Sequence, residues 1–301
     1  FVRDGTAVRR GRILAVLTST AYFDQGRRRG GYELTELARA WWVFVANGYE
    51  VDLASPLGGE PPQVLDEGLT DADHAFLNDP AAQSRLLDTL ALAQVDPSRY
   101  AGVYFVGGKG AMFDFPGNPD IARIVREIAP RGVIGAVCHG PAALLDLPLA
   151  DGRQLLEGRR VTGFSNAEEL FLIEDARTVF PFLLQDALTA NGGQFVEGPM
   201  YLDNTVVDGR LVTGQNPWST WSVAEAMVRA LGHEPVPRLA TAEEVAVQLL
   251  ATFHAEGIDA ALDRKARSAH ASKHLLLMHA VVAAMQMDVR QAWQLQRLAR
   301  K

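Results

Sequence analysis

The segment that most constrains the fold of this chain is Gly132–Val137, a short run without a polar side chain. Cys138, His139 and Gly140 follow it directly. A strand that is apolar at every position is typical of the centre of a parallel sheet, because helices cover both faces of such a sheet. The run therefore predicts an α/β fold in which Cys138 lies at the carboxyl end of a buried strand.

The alternation of strand and helix continues through most of the chain. We predict strands over 13–17, 49–54, 101–106 and 132–137, helices over 34–47, 119–130 and 218–231, a further helix from Gly140, and a hairpin around Asp208-Gly209. Strand-helix-strand units build parallel sheets, whereas the hairpin adds an antiparallel edge. The predicted architecture is a three-layer α/β/α sandwich with a mostly parallel sheet.

The composition changes after Pro235 and Pro237. Residues 240–301 contain one glycine and no proline, which predicts two or three helices and no strand. We divide the chain into a catalytic domain over 1–234 and a helical appendage over 235–301, with an oligomerisation or lid role as alternatives for the appendage. His270 and His274 are spaced as neighbours on a helix face, but a solvated or packed face is favoured over a metal site.

Composition excludes several classes of protein. The net charge of -7 disfavours a nucleic-acid binder, and the single cysteine excludes an internal disulfide or a cysteine-rich zinc site. No run of 18 apolar residues appears, so we expect no membrane-spanning helix and a cytoplasmic protein. The sequence begins at Phe1 rather than at a methionine, so whether residues precede Phe1 in the protein stays open.

Cys138 lies between small residues two positions away on either side, Ala136 and Gly140. This spacing is typical of a nucleophile elbow, a turn so sharp that bulky neighbours would clash. We expect the sulfur near the N-terminus of the next helix, where the helix dipole favours the thiolate. The alternative is a buried structural cysteine beside a hydrogen-bonded histidine.

The segment 136–142 resembles the elbow of the ThiJ/PfpI superfamily, which shares its fold with class I glutamine amidotransferase domains. Four further segments resemble the branch of glutathione-independent glyoxalase III enzymes and heat-shock chaperones, in the order 31–36, 107–114, 161–169 and 208–217. Together these segments cover about residues 12–232. The resemblance implies a flavodoxin-like fold that acts without metal, glutathione or another cofactor.

The first two of these segments imply residues that act beside Cys138. The family's catalytic glutamate falls on Glu36, with Glu33 one turn earlier as a competitor. The family's oxyanion-stabilising N–H falls on Gly108, within the Gly107-Gly108 turn. Because parallel strands end at one crevice, Glu36 can reach Cys138, and a carboxyl group beside a thiolate should be partly protonated and able to carry a proton.

The third segment implies an acid that orients His139. The match falls on Glu169, and Glu168 remains an alternative because adjacent residues differ only in helix face. We expect the His139 ring to point sideways, away from its neighbour Cys138, and to act as a base or as an orienting group.

The resemblance implies conversion of methylglyoxal, or a related small dicarbonyl, to lactate through a Cys138 hemithioacetal. Two alternatives stay open: a stress-related holdase or redox sensor, and an amidase or hydratase acting on another small substrate. A small-molecule carbonyl substrate and a homodimer are the expected partners. A glutaminase is disfavoured, because that chemistry usually places its histidine on a distant loop and needs a synthetase partner domain, whereas His139 adjoins the nucleophile.

Overall fold

The computed structural model describes residues 5–64, 68–149, 151–268 and 270–300. The chain forms two compact units, Val2–Pro237 and Arg238–Lys301. Within the described residues, no helix combines the length and the apolar character needed to cross a bilayer.

The first unit is built on a seven-stranded sheet. In spatial order its strands are β12 Thr205–Asp208, β13 Leu211–Gly214, β9 Val133–Val137, β8 Gly102–Phe105, β1 Gly11–Val16, β5 Tyr49–Ser55 and β7 Leu90–Ala91. Every neighbouring pair in this sheet is parallel except β12 and β13, which form the predicted hairpin. The predicted α/β sandwich with a mostly parallel sheet is confirmed.

Six further strands of two residues each form small two-stranded sheets outside the main one. They are β2 Tyr22–Phe23, β3 Arg28–Arg29, β4 Tyr32–Glu33, β6 Gln63–Val64, β10 Arg160–Val161 and β11 Gln194–Phe195.

The helices of the first unit connect the strands. They are α1 Leu34–Ala46, α2 Asp71–Leu77, α3 Pro80–Leu86, α4 Ala111–Asp114, α5 Pro119–Ile128, α6 Asn166–Leu172, α7 Ala176–Val179, α8 Leu184–Ala190 and α9 Thr220–Ala230, with 3-10 turns at Leu92–Gln94, Pro97–Arg99, Gly140–Leu144 and Pro217–Ser219. Apolar residues on α1, α5 and α9 are buried, as expected for helices that cover a sheet.

The helix expected directly after Cys138 is a five-residue 3-10 helix, Gly140–Leu144. Pro141 removes one backbone donor at its start, and the segment turns to an extended conformation at Leu145. A 3-10 helix of this length sums few peptide dipoles, so the predicted dipole at the sulfur is largely missing.

Three adjacent strands of the sheet, β1, β8 and β9, end at the same edge because they run parallel. The chain after β1 leads to Glu36, the turn after β8 contains Gly107 and Gly108, and β9 leads directly to Cys138. The topology therefore brings three of the predicted segments to one crevice, as expected for an open parallel sheet.

The second unit contains four helices among its described residues, rather than the two or three predicted. They are α10 Ala242–Glu256, α11 Ile258–Arg267, α12 Lys273–Met285 and α13 Val289–Arg300. Gly257, with a φ of 91°, separates α10 from α11 without an intervening loop. The left-handed φ of Gly257 ends α10, so α10 and α11 are separate helices although only one residue lies between them.

Candidate active site

Cys138 occupies a sharp turn at the end of β9. Its φ of 58° lies in the left-handed region, which is uncommon for a residue other than glycine, and its amide donates to the carbonyl oxygen of Gly214 at 2.9 Å. A Cβ on Gly140 would lie 2.3 Å from the carbonyl oxygen of Phe105, so the turn has no space for a larger residue there. The small residue two positions after the cysteine is therefore a steric requirement of the elbow.

Glu36 reaches the sulfur from the first turn of α1. The side chain is fully buried, its Oε2 accepts a hydrogen bond from the amide of Gly107 at 2.7 Å, and its carboxylate is hydrogen-bonded to the Cys138 thiol. Glu33 precedes α1 as its N-cap residue, and its Oε1 accepts from the Thr35 hydroxyl at 3.4 Å. Of the two candidate acids, Glu36 is the one in contact with Cys138.

The glycine turn after β8 packs against both groups. A Cβ on Gly107 would lie 2.5 Å from Glu36 Oε2 and 2.8 Å from Cys138 Cβ, so only glycine allows this approach. Gly108 has a φ of 104°, and its amide donates to the sulfur of Cys138. Both glycines therefore present an amide to the site, one to the carboxylate and one to the sulfur.

The environment raises the pKa of the Cys138 thiol well above its ordinary value. Burial is the largest cause, followed by the charge of Glu36, the hydrogen bond from the thiol to Glu36 and the charge of Glu33, while the Gly108 amide opposes them. The expectation that the turn itself favours the thiolate is wrong for the resting site. The sulfur is held as a thiol, and its proton lies against a carboxylate.

His139 contacts the sulfur on the other side. Its Nδ1 lies 3.3 Å from Cys138 Sγ and its Nε2 lies 2.6 Å from Glu169 Oε2, with all three residues buried. The expectation that the ring points away from Cys138 is wrong. In a strand successive side chains alternate, but the left-handed φ of Cys138 ends that alternation and brings the two neighbours together.

Glu168 and Glu169 have different hydrogen-bond partners. Glu168 forms a capping box with Ser165 at the start of α6, and its Oε1 accepts from the Tyr201 amide and from Asn216 Nδ2, each at 2.8 Å. Glu169 lies on the face of α6 that reaches His139. Of the two acids that the sequence left open, Glu169 is the one paired with the histidine.

Four phenylalanines form an apolar wall beside His139, which sequence reasoning missed. Phe164 lies 4.7 Å from the imidazole ring and Phe180 lies 6.1 Å from it, between ring centroids. Phe23 stacks on Phe180 at 5.1 Å and on Phe113 at 5.3 Å. Only Phe164 and Phe113 fall inside segments with a recognisable motif, so the rest of the wall had no local signal.

The sequence offers His270 and His274 as the histidine pair spaced for a metal ion. Among the described residues, no group of three histidine, cysteine or acidic side chains is arranged to hold an ion. His270 precedes α12, which begins at Lys273, so His270 and His274 do not share a helix face.

A comparison with known families gives a match for residues 29–230, which include the whole site. The matching sequence profile is that of the DJ-1/PfpI family. The chain belongs to the DJ-1/PfpI family.

Curated relatives within this family have informative names. "Glyoxalase 3" of Candida albicans is 29% identical over 231 residues, which span 73% of this chain and 98% of that protein. "Glutathione-independent glyoxalase HSP31" of Saccharomyces cerevisiae is 31% identical over 233 residues, with shares of 73% and 98%. The crystal structure of glyoxalase III from Candida albicans superposes with a TM-score of 0.65 at 28% identity, covering 73% of this chain and 97% of that one.

These relatives are named as enzymes, and this DJ-1/PfpI protein is an enzyme as well. The family match ends at residue 230, before the unit that begins at Arg238. The four C-terminal helices are therefore an addition outside the family match.

Proposed function

We propose that this enzyme converts methylglyoxal, or a related small 2-oxoaldehyde, to the corresponding 2-hydroxy acid without glutathione. The observation that carries the proposal is the position of Cys138 Sγ, which is hydrogen-bonded to the Glu36 carboxylate and lies 3.3 Å from His139 Nδ1. A thiol between a carboxylate and an imidazole has a proton acceptor on each side. The names of the two curated relatives support the same reaction.

In the first step, the sulfur of Cys138 adds to the aldehyde carbon as the thiol proton leaves. The carbonyl π bond breaks, the oxygen takes up a proton, and a hemithioacetal results. The Gly108 amide, which already donates toward the sulfur, is suited to hold the oxygen while it carries negative charge.

In the second step, Glu36 removes the proton from the former aldehyde carbon and returns a proton to the neighbouring carbon. The hemithioacetal becomes a thioester through an enediol, with no net oxidation because one carbon is oxidised as its neighbour is reduced. Water then attacks the thioester, releasing the hydroxy acid and restoring the thiol. One molecule of water is consumed for each product.

His139 and Glu169 complete the proposed machinery. The contact of 2.6 Å between Nε2 and Glu169 orients the ring so that Nδ1 faces the sulfur. The ring can then hold the thiol proton in passing and stabilise the thiolate that attacks. The apolar wall of Phe23, Phe113, Phe164 and Phe180 is suited to the hydrocarbon end of a small dicarbonyl.

A peroxide-sensing role gains less support from the same site. Sensor cysteines are exposed and have a low pKa, whereas Cys138 is buried and its pKa is raised by burial and by Glu36.

The proposal is tested with purified protein and methylglyoxal, by following the loss of the dicarbonyl and the appearance of lactate. We expect turnover by the parent protein and a loss of at least about 1,000-fold in Cys138→Ala, because the covalent step is removed. Cys138→Ser tests whether the shape of the elbow is enough, and we expect it to be nearly inactive. Thermal unfolding of each variant shows that the fold persists. Lactate formation that survives Cys138→Ala, or a parent protein without turnover, would contradict the proposal.

A further inference from the structure

Helix α12 in the second unit is apolar on every face. Between His274 and Gln286 its only polar residue is His279, which is buried. The inner face is covered, with Leu275, Leu276, Ala280 and Ala283 also buried. A helix that is apolar all round is ordinarily covered all round, whereas the outer face of α12 is exposed among the residues that the structure describes.

The exposed apolar side chains of this unit are concentrated where α12 turns into α13. Five of them, between 57% and 84% exposed, form what we call the apolar ridge: Val281, Met285, Met287, Val289 and Trp293. Val281 and Met285 are one turn apart on α12, as Val289 and Trp293 are on α13. A cluster of large apolar side chains in water is typical of an interaction surface.

The charges around the ridge indicate which partner fits. From Lys273 at the start of α12 to Asp288 just beyond its end, the chain carries no charged side chain. The helix therefore has a positive residue at its N-terminal end and a negative residue at its C-terminal end. An antiparallel copy of the same helix would place Lys273 of each copy beside Asp288 of the other.

Three further features agree with such a pair. Antiparallel helices also align their dipoles favourably, and two uncharged central faces meet without like-charge repulsion. The 13 residues of α12 make it about 20 Å long, which is enough for several side-chain layers. An anionic lipid surface fits less well, although Arg290, Arg297 and Arg300 lie on α13, because Asp288 is exposed in the middle of the ridge between Met287 and Val289.

We propose that the apolar ridge is the contact between two copies of this chain, with α12 of one copy antiparallel to α12 of the other. The proposal uses only residues of the second unit and is independent of the proposed glyoxalase reaction. In this proposal the role of the helices outside the family match is to hold two enzyme molecules together as a dimer.

The first test is the sedimentation equilibrium of the full chain across a range of concentrations. We expect a monomer-dimer equilibrium in the parent protein. Val281→Glu with Met285→Glu buries two carboxylates from each copy in the contact and should raise the dissociation constant by about 100-fold or more. Leu57→Glu is the matched control, since Leu57 is 80% exposed in the first unit, and it should leave the dissociation constant unchanged.

The second test reverses charges and separates a lost contact from a lost fold. Lys273→Glu and Asp288→Lys should each weaken the dimer about 10-fold, because each places like charges side by side. A mixture of the two single variants should form heterodimers, since every meeting pair is then of opposite sign. The double variant should regain the parent affinity for the same reason. A damaged helix would not be rescued by either combination.

A parent protein that stays monomeric at the highest concentration would overturn the proposal. Dimers that persist in Val281→Glu with Met285→Glu, or charge variants that the mixture does not rescue, would also overturn it. A protein that stays monomeric but co-sediments with anionic vesicles would show that the apolar ridge binds lipid instead of a second copy.

Discussion

Cys138 has two polar sides, and both contain a buried glutamate. On one side Glu36 contacts the sulfur directly and is held by the Gly107 amide at 2.7 Å. On the other side Glu169 lies 2.6 Å from His139, and only the histidine contacts the sulfur, at 3.3 Å. Both carboxylates are buried, but Glu36 contacts the nucleophile directly whereas Glu169 contacts it only through His139.

This difference in contact with the sulfur implies different roles for Glu36 and Glu169. A carboxylate in contact with the thiol shares its proton and can pass that proton to a substrate. A carboxylate that contacts only the histidine can act on the sulfur by fixing the orientation of the imidazole ring. We therefore infer that Glu36 is the catalytic acid-base group and that Glu169 is a positioning residue.

The largest effect is expected for Glu36→Gln. The amide keeps the size of the side chain but cannot carry a proton, so turnover of methylglyoxal should fall by about 1,000-fold. Glu33→Gln is the matched control, because Glu33 raises the pKa of the Cys138 thiol through its charge, and the turnover of this variant should stay within about threefold of the parent. Equal losses of turnover in Glu36→Gln and Glu33→Gln would contradict the assignment of Glu36 as the catalytic acid-base group.

A smaller loss is expected for Glu169→Gln. The amide can still reach His139 but no longer carries a charge, so kcat should fall by about 100-fold while KM changes little. Steady-state kinetics over a range of methylglyoxal concentrations separates the two constants. A rise in KM at constant kcat would instead make Glu169 a substrate-binding residue.

The neighbouring variant Glu168→Gln should affect stability rather than turnover. Glu168 accepts from the amides of Tyr201 and Ser165 and from Asn216 Nδ2, so an introduced NH2 group faces donors. We expect a loss of about 2 kcal/mol in the free energy of unfolding, measured in urea, with kcat within about threefold of the parent. A variant of parent stability whose kcat falls as far as in Glu169→Gln would contradict this assignment.

The main sheet was predictable because its strands have strong local signals. The predicted strand over 132–137 is observed as Val133–Val137, and the hairpin at Asp208-Gly209 joins β12 to β13. The two-residue strands, such as β2 and β3, had no such signal, since pairs this short depend on contacts from distant parts of the chain. The number of helices after residue 240 was underestimated, because composition alone does not show that α10 ends at Gly257 and α11 begins directly after it.

The site was predictable as a set of residues but not as a geometry. Parallel strand ends meet at one edge, which was enough to bring Glu36 toward Cys138. The direction of the His139 ring and the raised pKa of the thiol depend on the left-handed φ of Cys138 and on complete burial. Neither the φ of Cys138 nor its burial can be obtained from the order of the residues. Phe23 and Phe180 are far apart in the sequence, and only the folded chain brings their rings together.

The central claim is that Cys138 and Glu36 share a proton, and the pKa of the Cys138 thiol tests it most directly. The measurement is the rate of alkylation by iodoacetamide as a function of pH, in the parent protein, Glu33→Gln and Glu36→Gln. Burial raises this pKa in all three, but Glu36→Gln also removes a negative charge and the carboxylate that accepts the thiol proton, so its pKa should be the lowest. Glu33→Gln should lie between that variant and the parent, and alkylation at neutral pH should be fastest in Glu36→Gln. An unchanged or higher thiol pKa in Glu36→Gln would contradict the account.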